Sequence, residues 1–225
     1  MMTLTFLQEQ SFSLIGMAAK GGWLMIVLAL LSVLAIYIFA SKWWAIRQAS
    51  KVEKSFIKDI KDYVLSDKVR SARALCRQND TPAARMLEKG IVNIDKPLSE
   101  IQSSMENVAS LQVSRIEKGI PVLASIAGGA PMIGFLGTVM GMIQAFFNMA
   151  NAGNNVDISL LSNGIYTAMV TTVGGLIVGI LAYFANNFLT ARVTDLVTNL
   201  EATMVYFLDM VQYKRDKTAA TQSEN

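Results

Sequence analysis

The 225-residue sequence contains no histidine, a single cysteine and four prolines, and only 16% of its residues are charged. Each shortage closes off a class of chemistry. One cysteine, Cys76, cannot form a disulfide within the chain. Without histidine, and with one thiol, no metal site is expected. No glycine-rich loop carries the lysine that would cradle a phosphate, and no polar triad stands out. Neither a cofactor nor an enzymatic activity is therefore expected. The charged share falls well below the roughly 25% of an average soluble domain, while 52% of the residues are hydrophobic.

Those apolar residues are gathered into blocks. Trp23 to Ala40, Gly119 to Ala150 and Leu160 to Ala191 each contain no charged residue. The first run is near the lower limit for a helix crossing a bilayer, and the other two exceed it. An apolar core helix of a soluble domain would be shorter and amphipathic. The sequence therefore predicts an all-α integral membrane protein with three transmembrane helices, over 21–41, 119–150 and 160–190. Trp23, Trp43 and Trp44 bracket the first span, as aromatic residues at membrane–water boundaries do. The region before that span is not basic and the basic residues follow it, which predicts a retained span, not a cleaved signal.

A net charge of +3 could suggest nucleic acid, but the distribution argues for topology and against a nucleic-acid partner. Residues 42–118 hold 15 of the 20 Lys and Arg residues, and the loop 151–159 holds none. By the positive-inside rule, 42–118 and the tail 191–225 are cytoplasmic, and the N-terminus and the 151–159 loop lie outside. The basic stretch would also attract anionic headgroups of membrane lipids. For the N-terminal segment 1–20, a helix lying in the outer interface, with Leu4, Leu7, Leu14 and Ile15 on one face, and a disordered tail fit equally well. Lys42 to about Ser66 continues with helical composition and mixed charge, and the first membrane helix is expected to run on into the cytoplasm. Within 42–118, turns are predicted at Asn79–Pro82 and Asp95–Pro97. Asp80 or Thr81 would cap a helix that starts at Pro82, and another helix would run from Ser99 to Lys118. Disorder is predicted from Thr218.

Two stripes carry the functional reading. On the second span, Ala130, Gly134, Thr138, Gly141, Ala145 and Asn148 recur at helical spacing, and Gly137 with Gly141 forms a GxxxG pair. On the third, Ala168, Thr172, Gly175, Gly179, Ala182 and Asn186 share a face, Gly175 and Gly179 form a second GxxxG, and Thr167 and Thr171 lie on the adjacent stripe. Small residues let helices in lipid approach closely, so tight packing alone is one reading. A threonine can also satisfy its hydroxyl on its own helix. Several hydroxyls on recurring faces of two helices suggest instead a shared polar surface that lines a pore or receives a polar partner. Ion transport calls for a titratable group along the path, and the last two spans contain no Asp, Glu, Lys, Arg or His. The carrier would then come from another chain, or a water wire would do without one.

The stretch from Ala130-Pro131 to Phe146, with its Gly-x-x-Gly-Thr-Val-x-Gly core, resembles the second-span motif of the MotA/TolQ/ExbB proton-channel family. Ala168-Met-Val-Thr-Thr-Val-Gly-Gly-Leu176 is similar to that family's third-span motif. The resemblance is closest to ExbB. It implies a homopentamer in the bacterial inner membrane, with the N-terminus periplasmic, the C-terminus cytoplasmic, and the second and third helices around a central pore. It also implies an ExbD-like single-span partner, present as a dimer in the pore, whose Asp carries the proton. A TonB-like protein would receive the work for outer-membrane transport. By motif position, Thr138 and Thr172 match the two threonines that face the partner's Asp, with Thr167 and Thr171 beside them on the pore side. Gly134, Gly137, Gly141, Gly175 and Gly179 would pack the helices. Two positions depart from the family pattern. Thr167 stands where ExbB and TolQ proteins commonly carry Glu, and Leu181 where they commonly carry Pro. Leu181-Ala-Tyr183 reads more like the flagellar-stator branch, although the cytoplasmic region is short for one. A TolQ-like, gliding or flagellar-stator-like motor subunit is the alternative, and a passive scaffold the reading from a different class.

Overall fold

A computed structural model describes residues 22–51, 54–151 and 158–223; the N-terminal segment and most of the 151–159 loop lie outside the described residues. All regular structure in them is helical: α1 (Trp23–Ala49), α2 (Lys54–Leu65), α3 (Val69–Gln78), α4 (Pro82–Val92), α5 (Leu98–Glu117), α6 (Ile120–Asn151) and α7 (Ile158–Ser223). α1, α6 and α7 each include a stretch long and apolar enough to cross a membrane. The chain forms two compact units, one from 22–38 and 122–186, the other from 39–121 and 187–223.

The second unit is built as a water-soluble helical domain is built. Phe56, Ile60 and Val64 of α2 recur every four residues and are buried, as are Ala72 and Cys76 of α3. α4 contributes Met86, Leu87 and Ile91, and α5 contributes Ile101 and Met105. Along α7, Leu196, Leu200, Met204, Phe207 and Val211 supply the remaining wall at three- and four-residue intervals. Thr81 is extended and accepts a hydrogen bond from the Ala84 N–H at 3.3 Å, with Pro82 at the first helical position. The sequence left Asp80 and Thr81 open as caps; the hydroxyl takes the role, and Asp80 instead pairs with Arg85. Asp67, with φ of 60°, adopts the left-handed conformation that closes α2, and the Lys68 N–H donates back to the Tyr63 carbonyl at 2.8 Å.

α1 runs past the apolar run to Ala49, and helix is described again from Lys54. One local expectation changes. α7 continues to Ser223, past the Thr218 at which disorder was expected. Extending a helix that is already packed adds one hydrogen bond per residue fixed, and Ala219 and Ala220 are the best helix formers.

In the first unit the pattern is reversed. Ala130, Gly134, Ala168, Gly175, Gly179 and Ala182 are buried, while Met132, Phe135, Ile143, Phe147, Met169, Leu181 and Phe184 are exposed. Leu24 and Leu28 of α1 are also buried. A methyl placed on Gly174 would lie 3.1 Å from the Met25 side chain, so α1 closes over α7 there.

Candidate functional site

The site is assembled where α6 and α7 approach each other. A Cβ on Gly134 would meet the Thr171 carbonyl oxygen at 2.9 Å and the Cα atoms of Thr172 and Gly175 at 3.1 Å. One on Gly175 would come within 2.6 Å of the Ala130 carbonyl oxygen. Gly137 is opposed by the Thr171 side chain and Gly141 by Ala168. Gly179 lies against the Pro131 ring and the Ala127 carbonyl. Pro131 is accommodated within α6, although it has no N–H to return to that carbonyl. Gly164, which the sequence reading missed, is seated on Ala145. Its signal was present, because Gly164 and Ala168 form another small-xxx-small pair.

The four threonines singled out from the sequence are separated by this packing. Thr171 is 2% exposed. Its hydroxyl donates to the Ala168 carbonyl of its own helix at 2.7 Å and lies 3.4 Å from the Gly134 carbonyl. In a single chain it is an interhelical packing residue, not part of an open surface. Thr172 is half-buried and its hydroxyl donates across to α6, to the Gly134 carbonyl at 3.1 Å. Farther along α7, Thr194, Thr198 and Thr203 each donate to the carbonyl four residues before them. The hydrogen bond of Thr172 to the facing helix sets it apart from these. Thr138 is half-buried and donates to Phe135 at 2.6 Å. It is the one hydroxyl in a shallow, otherwise apolar groove on α6 formed with Phe135, Val139, Met142, Ile143 and Phe146. Thr167 is half-buried. Asn148 is exposed and accepts a hydrogen bond from Gln144 at 3.2 Å.

Among the described residues, no group of three or more His, Cys, Asp or Glu side chains could hold a metal ion. Cys76 lies in the other unit, buried, and desolvation followed by the nearby Glu88 charge pushes its thiol up to about 12. It is therefore an unreactive core residue.

Three long apolar helices, two of them joined through glycine and hydroxyl contacts, define a multi-pass membrane protein. Residues 78–202 match the model of the MotA/TolQ/ExbB proton channel family, and the chain belongs to that family. It is 27% identical over 197 residues to the biopolymer transport protein ExbB of Neisseria meningitidis serogroup A, an alignment covering 80% of this chain and 84% of that protein. It is 30% identical over 124 residues to a protein of Methanothermobacter thermautotrophicus designated a homolog of ExbB, covering 55% of this chain and 43% of the other. It is 34% identical over 105 residues to the Tol-Pal system protein TolQ of Haemophilus influenzae, covering 45% and 46%. The chain thus spans under half the length of two of these relatives and most of the third.

Proposed function

We propose that this chain is the channel-forming subunit of a motor driven by the proton-motive force in the bacterial inner membrane, working around a single-span partner that carries the titratable carboxyl group. The observation that carries this reading is the pairing of an uncharged interior with a displaceable hydroxyl. Gly119–Ala150 and Leu160–Ala191 contain no ionisable carboxylate or cation, while Thr172 holds its hydroxyl on a carbonyl of the facing helix. A hydroxyl can donate to a carboxylate or accept from its protonated form. It can therefore hand a carboxyl group onward without trapping it in either state. A fixed lysine or arginine would hold the group ionised. Thr138, in its apolar groove, is the second such contact, and Thr167 lies beside the path in place of a carboxylate.

In this reading five copies form a ring, with residues 42–118 and 191–225 in the cytoplasm and the N-terminus in the periplasm. The partner is an ExbD-like dimer, and the output energises TonB-dependent outer-membrane transport. The match to TolQ supports a second output through the same chemistry, a Tol-type motor. A neighbouring gene for a TonB-like or a Tol-like protein separates the two.

Thr172→Val keeps the shape and removes the hydroxyl. It is expected to abolish proton-dependent output while the complex with the single-span partner still assembles, and Thr172→Ser should retain activity. Proton flux into liposomes and subunit counting by native mass spectrometry read the two properties separately. Full flux in both Thr172→Val and Thr138→Val would rule out a hydroxyl-lined path.

A further inference from the structure

At the end of α1 and just beyond it, charge appears with a single sign. Lys42, Arg47 and Lys51 all precede the first acidic residue after the apolar run, Glu53. Ala40, Trp43, Trp44, Arg47 and Gln48 at the end of α1, with Lys51 two residues beyond it, form a groove of about 800 Å³. One wall is braced: the Trp43 ring centroid lies 5.5 Å from Phe39 and 5.8 Å from Phe188. The other wall, Trp44, is 76% exposed. Arg73, Arg77, Arg85 and Arg192 each reach a carboxylate, whereas among the described residues neither Arg47 nor Lys51 does.

We propose that this groove binds the headgroup phosphate of an anionic phospholipid. The order along the groove is apolar, aromatic, then cationic, which is the order of a lipid from acyl chain through glycerol to phosphate. A guanidinium matches two phosphate oxygens with parallel donors, and the lysine adds a point charge. The indole is most stable at headgroup depth, with its N–H turned to an acceptor. A second copy of the chain covering this face would need a carboxylate aligned with both cations and would bury Trp44 away from lipid, so the two occupants leave different signatures. The inference rests on α1 spanning the membrane and is independent of the proton path.

Trp44 itself can report. In a chain carrying Trp23→Phe and Trp43→Phe, reconstituted with any subunits that co-purify, Trp44 fluorescence is measured as brominated phosphatidylglycerol or brominated phosphatidylcholine replaces the unbrominated lipid. Each cation near an anionic surface strengthens binding by roughly fivefold. Half-maximal quenching by the anionic lipid is therefore expected at a mole fraction roughly five- to twenty-five-fold lower than by the zwitterionic one. Arg47→Gln with Lys51→Gln should bring the two curves together. Lys89→Gln with Arg115→Gln removes equal charge elsewhere and should leave them apart. Equal quenching before substitution, quenching by neither lipid, or loss of selectivity in the charge control would each overturn the proposal. On the chain with its tryptophans intact, native mass spectrometry should show retained phosphatidylglycerol that the Arg47/Lys51 double substitution removes. Retention unchanged by that substitution would also overturn the proposal.

Discussion

Where α6 meets α7, the contact is made by glycine, alanine and threonine, and the phenylalanines and methionines point away. Where α4 meets α5 and the far part of α7, Met86, Leu87, Ile91, Met105 and Phe207 fill the interior, and Arg77, Arg85 and Lys96 reach acidic partners on the outside. The two units use the same secondary structure with opposite radial order. In water, burying large apolar side chains is the main source of stability. In hydrocarbon that gain vanishes, because lipid is as apolar as leucine, and close backbone approach with interhelical hydrogen bonds takes over. α7 contributes to both units along one helix, Ile158–Ser223, and its sequence changes from Gly175 and Gly179 to Leu196, Leu200 and Phe207 accordingly.

If this contrast is right, truncating a large side chain should hurt one unit and adding a small one should hurt the other. Phe207 is 1% exposed. Phe207→Ala is expected to destabilise the second unit by about 3–5 kcal/mol, the usual cost for a buried phenylalanine. Phe184→Ala, at a position 66% exposed in the isolated chain, should cost far less in the thermal midpoint of the detergent-solubilised chain. A similar loss at both positions would break the comparison.

Glycine substitutions sharpen it. Gly175→Ala places a methyl 2.6 Å from the Ala130 carbonyl and 2.9 Å from the Gly134 Cα. Backbone cannot move aside as a side chain can, so overpacking of about 1–3 kcal/mol is expected. Gly90→Ala, in the second unit, presses on the Met105 sulfur at 2.6 Å and the Phe207 ring at 2.7 Å. Methionine is flexible and should yield in part, making this loss the smaller of the two. Gly128→Ala meets nothing within 4 Å and should be neutral or slightly stabilising through helix propensity. Unfolding midpoints of the three variants test the order Gly175, Gly90, Gly128.

The all-helical class and the three long apolar helices were legible because hydrocarbon imposes a length and a composition that survive without any tertiary information. The cap at Thr81 was legible, up to its choice from Asp80, because capping depends on nearest neighbours in sequence. What was not legible depended on which faces meet. Helical spacing put Thr172 on the small-residue stripe and Thr171 on the stripe beside it, without showing how each would meet α6. Facing α6 buries Thr171 against Gly137 and turns Thr172 to the Gly134 carbonyl. The end of α1 at Ala49 carries no breaker residue. Gly164 fell just outside the stripe that the family motif drew attention to, although the same small-residue rule covers it.

The weakest effect belongs to the charges that surround the second unit. Glu88 accepts from Arg77 Nε at 2.7 Å and from Arg73 Nε at 3.2 Å, linking α4 to α3. The hydrogen bond from Arg77 is the chief reason that its carboxyl titrates below the ordinary glutamate value; partial burial opposes the shift, and Arg73 reinforces it. A group that binds its proton less readily when folded stabilises the fold while it is ionised. That contribution is complete above the pKa of the unfolded chain and is lost as the pH falls through the lower, folded value. Both arginines are largely solvated, so the pair of contacts is expected to be worth no more than about 1 kcal/mol. Glu88→Gln should lower the thermal midpoint slightly at pH 7, and the difference should shrink as the pH falls below the ordinary glutamate range and the wild-type carboxyl takes up its proton. High salt at pH 7 should narrow the gap by screening the exposed arginines. A gap that widens towards low pH would mean that Glu88 is stabilised in its protonated form. The arginines would then not be its partners in solution, and the charged exterior assigned to this unit would need another explanation.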